Sequence, residues 1–184
     1  EAMLYITGMI RKLGRVDHRD TCLDTHFLER ERGITIFSKQ ARISSAEMEL
    51  TLLDTPGHID FSGEMERTLP VMDYAILVIS GTDGVQAHTE TLWGLLERYN
   101  VPTFVFVTKM DVSQSKPDEI MDDLRVHLSD GCLDFTREHD SMRDEAVALL
   151  DEALLDFYME TGKIPDMEIA RLVRERKLFP VSFG

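Results

Sequence analysis

Leu50-Thr51-Leu52-Leu53-Asp54-Thr55-Pro56-Gly57-His58 is the stretch on which the architecture turns. A short apolar run ends in a carboxylate, a Pro-Gly turn follows, and a histidine stands just beyond it. The run is bounded by turn residues and reads as a strand, which the Pro-Gly dipeptide stops. A strand that delivers Asp-x-x-Gly to its C-terminal end puts a carboxylate and a bare backbone N–H where open α/β sheets bind their ligands.

Outward from this stretch, short apolar runs alternate with helical patterns, which argues for α/β with a mostly parallel sheet. Residues 2–11 carry Met3, Leu4, Ile6 and Ile10 at helical spacing. Residues 12–34 are polar and without sustained periodicity, and read as an exposed mobile segment. Residues 35–44 and 48–54 read as two strands joined by a polar turn at Ser44-Ser45-Ala46-Glu47. A short helix is expected over 60–70. Tyr74–Ser80 and Thr103–Thr108 are continuous apolar runs, the pattern of strands buried on both faces. The amphipathic stretch 85–99 lies between them. Helices are expected at about 117–128 and 141–161. Another starts at Pro165-Asp166 and runs to about Lys177, and a last strand covers 178–183.

The chain has 184 residues, a length that suits one domain with a core of its own. No apolar run approaches the roughly 18 residues a membrane helix needs, so no membrane partner is expected. No signal segment opens the chain. The two cysteines, Cys22 and Cys132, are far apart and read as free thiols in a reducing cytosol. Cytoplasmic location and a monomeric state are the corresponding expectations. The formal net charge is −14, and residues 113–160 hold 14 Asp/Glu against 4 Lys/Arg. That concentration of acid disfavours nucleic-acid backbones at this face. It suits either a solvated helical surface or a docking surface for a basic partner.

Thr108-Lys109-Met110-Asp111 ends a strand 57 residues after Asp54. A carboxylate there can accept both hydrogens of guanine's N1–H and N2–H₂ edge, which adenine lacks, and the lysine stem can lie along the base. In isolation, x-Lys-x-Asp reads as a surface pair; its place at a second strand end favours a site. Thr108 stands where Asn is commoner and retains one hydrogen-bonding hydroxyl, so weaker loop bracing is expected there.

Together, Glu29-Arg-Glu-Arg-Gly-Ile-Thr-Ile36, Asp54-Thr-Pro-Gly-His58, Asp83-Gly-Val-Gln86 and Thr108-Lys-Met-Asp111 resemble the GTPase domain of elongation factor G and of the ribosomal protection proteins of tetracycline resistance. The resemblance is specific over residues 24–111 and looser to Gly184. It implies a three-layer P-loop GTPase fold over residues 1–184, with a short acidic helical insertion at about 113–177. It implies GTP and GDP as substrate and product and Mg²⁺ as cofactor. Thr35 would carry the metal through its hydroxyl and Asp54 through water, and the Gly57 N–H would meet the γ-phosphate. His58 would orient the attacking water, with Ile34 as part of its apolar gate. The nucleotide-binding set would comprise Asp54, Thr55, Pro56, Gly57 and His58 with Thr108, Lys109, Met110 and Asp111. The implied partner is the ribosome, with stalk-protein contact through the acidic 113–160 segment.

Bland readings stand beside these. His58 could be a turn histidine and Thr35 a strand residue. Asp17, His18, Asp20, Cys22, Asp24 and His26 resemble a metal cluster but lack the spacing zinc sites use, and the resemblance assigns them to the first switch segment. No Gly-x-x-x-x-Gly-Lys-[Ser/Thr] occurs. The resemblance therefore implies that the first strand and phosphate loop are absent from this chain, and that the family's Ser-Ala motif would follow Gly184. Two functions are compatible with this pattern. One is ribosome-stimulated GTP hydrolysis by the protein that contains the domain. The other is a nucleotide-free, non-catalytic GTPase-fold module acting in docking.

Overall fold

The computed structural model describes residues 2–12, 27–32, 34–44, 48–136 and 141–184. The metal-like cluster at 17–26 lies outside them. The chain divides into two compact units, Glu1–Val71 and Met72–Gly184. Among the described residues, no helix is long and apolar enough to cross a membrane.

The first unit holds α1 (Ala2–Ile6), α2 (Phe27–Arg32), β1 (Lys39–Ser44), β2 (Glu49–Asp54) and α3 (Ser62–Thr68), with short 3₁₀ turns at Ile59–Phe61 and Leu69–Val71. β1 and β2 form an antiparallel pair whose register sets Lys39 opposite Asp54 and Ser44 opposite Glu49. Leu4, Ile36, Ile43, Met65 and Leu69 are buried. The helix expected over 2–11 ends early. Gly8 takes a left-handed φ of 73°, and its N–H returns to the Tyr5 carbonyl at 3.0 Å while that of Met9 reaches Leu4. A glycine in this conformation terminates helices because it has no Cβ penalty there.

Two further expectations are corrected in this unit. Residues 27–32 are helical rather than an exposed mobile stretch, and Glu29 is fully buried. The strand expected over 35–44 begins only at Lys39, because the Ile36 and Phe37 N–H groups are taken by the Glu29 carboxylate.

The second unit holds β3 (Ala75–Ser80), α4 (Ala87–Arg98), β4 (Thr103–Thr108), α5 (Pro117–His127), β5 (Cys132–Asp134), α6 (Ser141–Ala148), α7 (Glu152–Thr161), α8 (Asp166–Arg174) and β6 (Phe179–Phe183). The four strands form one parallel sheet in the order β3-β4-β6-β5. Mixed α/β architecture with a parallel sheet is thus the fold. Leu77, Ile79, Val105, Val107 and Val181 face α4 and α5, whose Trp93, Ile120 and Leu124 complete one core. A second core gathers Leu133, Val147, Leu154, Leu172 and Leu178 under α6–α8.

Burial on both sheet faces does not hold. Along β3 and β4 burial alternates, and Ile76 and Val78 are 56% and 61% exposed. The helix expected over 141–161 breaks in two at Asp151, whose side chain accepts the Ala153 N–H at 3.2 Å and caps α7. Cys132 is fully buried in β5, and desolvation pushes its thiol up to about 12. Arg176 lies over the Trp93 and Phe179 rings at 5.3 and 5.1 Å and donates to Thr103 Oγ1 at 3.0 Å, joining the start of β4 to that of β6.

Leu172 has no exposed surface and sits centrally in the second core. Leu172→Ala is expected to cost about 3 kcal/mol, read as a lowered urea midpoint with unchanged slope.

Candidate functional site

In the first unit, Asp54 is the last residue of β2 and Lys39 faces it in register. Pro56 beyond it is fully buried and Gly57 exposed. A Cβ built at Gly57 meets no atom within 4 Å, so the space on that side of the turn is open. His58 starts the Ile59–Phe61 turn with extended backbone (φ −88°, ψ 140°). Its Nδ1 accepts the Asp60 N–H at 3.3 Å, and its ring tilts against Phe61 with centroids 6.0 Å apart. The Asp60 carboxylate is also 3.6 Å from Nδ1, a contact that is ionic only with a protonated ring. With Nδ1 accepting, a neutral ring carries its proton on Nε2. The ring is half exposed.

Ile34 and Thr35 are partly buried and lead into buried Ile36. The chain just past Thr35 is tightly held. Glu29 Oε1 accepts the Ile36 and Phe37 N–H groups at 3.1 Å each, and Glu29 Oε2 pairs with Lys39 Nζ at 2.5 Å. Ser38 Oγ donates to the Glu64 carbonyl of α3 at 3.4 Å.

In the second unit, Thr108 closes β4 and Lys109 turns the chain with a left-handed φ of 62°. The Lys109 carbonyl accepts the Val112 and Ser113 N–H groups at 3.3 and 3.1 Å. Met110 N–H donates to the Gly184 carbonyl at 3.2 Å, and Gly81 N–H to the Thr108 carbonyl at 2.8 Å. Ser113 Oγ donates to the Gly81 carbonyl at 2.6 Å. Thr108 Oγ1 makes only a long bond, 3.4 Å, to the Ile79 carbonyl. The Lys109 and Asp111 side chains are exposed. Asp83, in the neighbouring loop, is held below the usual carboxylate range by hydrogen bonds from Ser80 and Thr82, with Lys109 adding a smaller attraction.

The residues singled out from sequence therefore fall in two groups: Ile34, Thr35 and Asp54–His58 in the first unit, and Thr108–Asp111 in the second. Sequence reasoning missed Glu29, Ser113 and Gly81. Glu29 sat in a charged run without apolar periodicity, and Ser113 carries no pattern of its own. Gly81 had a steric signal, since a Cβ there would lie 2.6 Å from Met110 Sδ. A cavity of about 430 Å³ among α6–α8, lined in part by Arg143, Phe157, Lys163 and Asp166, includes none of the residues in either group.

The profile of the elongation factor Tu GTP binding domain matches residues 1–183. Tetracycline resistance protein TetP of Clostridium perfringens is 34% identical, the match covering 100% of this chain and 32% of that protein. Tetracycline resistance protein TetW of Butyrivibrio fibrisolvens is 37% identical, covering 100% and 31%. Elongation factor G 2 of Borreliella afzelii (strain PKo) is 44% identical over 60% of this chain and 17% of that protein. A solved structure described as ttk003000868 from Thermus thermophilus superposes with a TM-score of 0.88 at 26% identity, covering 100% of this chain and 34% of that one. The chain spans about a third of the length of the curated relatives that match all of it.

Ser113→Ala removes the short tie from the 109–113 turn to Gly81. A loss of about 1 kcal/mol of local stability is expected, seen as roughly fivefold faster amide exchange at Met110 and Ser113 with the β4 amides unchanged.

Proposed function

This chain belongs to the family of the elongation factor Tu GTP binding domain, and from that premise we propose that it is the GTP-hydrolysing domain of a ribosome-stimulated translational GTPase. The relatives named as tetracycline resistance proteins and as elongation factor G support the class. The reaction is in-line attack of water on the γ-phosphoryl of GTP, in which positioning and charge stabilisation do nearly all the work.

The observation that carries this reading is the turn at His58. The Asp60 N–H occupies Nδ1, which leaves Nε2 as the ring nitrogen available to orient a water. The open space at Gly57 suits an approaching phosphate oxygen, with the Gly57 N–H as its donor. Thr35 follows Ile34, a partly buried apolar side chain, which in this reading belongs to the apolar gate of His58. Thr55 and Pro56 set the turn between Asp54 and Gly57.

Residues that fit Mg²⁺ are present. The Thr35 hydroxyl and, through water, the Asp54 carboxylate are hard oxygen donors. Mg²⁺ is usually held by one or two such groups together with substrate phosphates. Among the described residues there is no group of three or more His, Cys, Asp or Glu able to hold a metal by themselves, in keeping with a site completed by nucleotide. When bound, the ion neutralises charge developing on the phosphoryl oxygens.

Thr108, Lys109, Met110 and Asp111 form the guanine-reading loop. Lys109 turns the chain with a left-handed φ directly after β4; in this reading the Asp111 carboxylate accepts from the N1–H and N2–H₂ of the base and the lysine stem lies along the ring.

Two substitutions in the intact protein test these roles. His58→Ala should lower ribosome-stimulated kcat by about 100-fold or more while GTP and GDP affinities stay within about twofold; turnover that survives refutes the His58 role. Asp111→Asn should cut the preference for GTP over ATP by about 100-fold or more. Unchanged competition by the two nucleotides refutes the guanine-reading role.

A further inference from the structure

Glu29 is fully buried, a rare situation for a carboxylate. Taking such a charge out of water is costly unless donors and an opposite charge replace the lost hydration. Three donors to it come from one short stretch: the N–H groups of Ile36 and Phe37, both at 3.1 Å, and the Lys39 ammonium at 2.5 Å. The Lys39 side chain is itself only 16% exposed.

These three partners lie just beyond Thr35. Glu29 belongs to α2, which ends at Arg32. The bond from Ile36 N–H to Glu29 therefore closes a loop over seven positions, with Thr35 directly before its anchored end. The two consecutive amides held by Glu29 fix the backbone immediately after Thr35. The contact between Ser38 and the Glu64 carbonyl ties the same stretch to α3.

We infer that Glu29 is a positioning residue for Thr35, and that the buried Glu29–Lys39 pair is the latch that holds the first switch segment where it meets the γ-phosphate end of the nucleotide. The inference rests on the role proposed above for Thr35. Glu29 touches neither nucleotide nor metal; it acts by setting the backbone that presents Thr35. Breaking the latch thus weakens what Thr35 contributes, which is specific to GTP, and spares GDP, which has no γ-phosphate.

The test uses the intact protein with Mg²⁺, a slowly hydrolysed GTP analogue and GDP as probes. Glu29→Gln keeps the shape and removes the charge. It should weaken analogue binding by about tenfold while GDP affinity stays within about twofold, and the thermal midpoint should fall because Lys39 keeps its charge without a partner. In a Thr35→Ala background, Glu29→Gln should have no further effect on the analogue-to-GDP ratio. Equal loss for both nucleotides, or a full additional loss on top of Thr35→Ala, makes Glu29 a structural brace only and overturns the inference. If Glu29→Gln alone does not unfold cooperatively, the neutral pair Glu29→Gln/Lys39→Gln is measured in its place with the same expectations. Should Thr35→Ala leave the ratio unchanged, the switch role of Thr35 fails and this inference falls with it. Should Thr35→Ala shift the ratio while Glu29→Gln does not, only the inference fails.

Discussion

The second unit depends on β4 being paired on both sides, with β3 along its whole length and with β6 over Val105–Val107. Inside that ladder Val105 and Val107 are almost completely shielded from water, so the strand cannot slide by one residue without turning its apolar face outward. The three parallel strands also end together. Gly81 follows β3, Thr108 closes β4 and Gly184 follows β6, and backbone hydrogen bonds link all three to the Thr108–Ser113 turn. The turn is therefore located by the sheet, and the Lys109 and Asp111 side chains remain exposed. Gly81 makes the close approach feasible, since any side chain there would press on Met110 and on the Thr108 carbonyl.

The first unit reaches a comparable result with different forces. Its two strands form a small antiparallel pair in which β2 is at most partly buried. Its fixed point is ionic: a carboxylate with no access to solvent, two amides and a lysine. Apolar packing is tolerant of local adjustment, whereas a buried ion pair loses heavily when either partner moves away.

The strand ends were readable in advance because each is marked by a change in residue type: Asp-Thr-Pro-Gly after Leu50–Leu53, and Lys-Met-Asp after Thr103–Thr108. Burial was harder. A run such as Ala75–Ser80 looks the same whether one face or both are covered, and here Ile76 and Val78 remain exposed. β5 escaped notice because three residues give too short a run for any period to register. The interruption at Asp151 had a usable signal, an aspartate placed to cap the following helix. Glu29 had none: its burial depends on donors brought to it by the fold, and no local pattern announces them. Ser113 compensates for the weak reach of Thr108, a division of labour that only coordinates could display.

The buried thiol of Cys132 has a practical consequence. With its ionisation pushed to about 12, it presents almost no thiolate at neutral pH, and electrophilic dyes attack thiolates. The chain has one other cysteine, Cys22, five positions before the start of α2. A maleimide or spin label added to the folded chain is therefore expected to leave Cys132 unmodified.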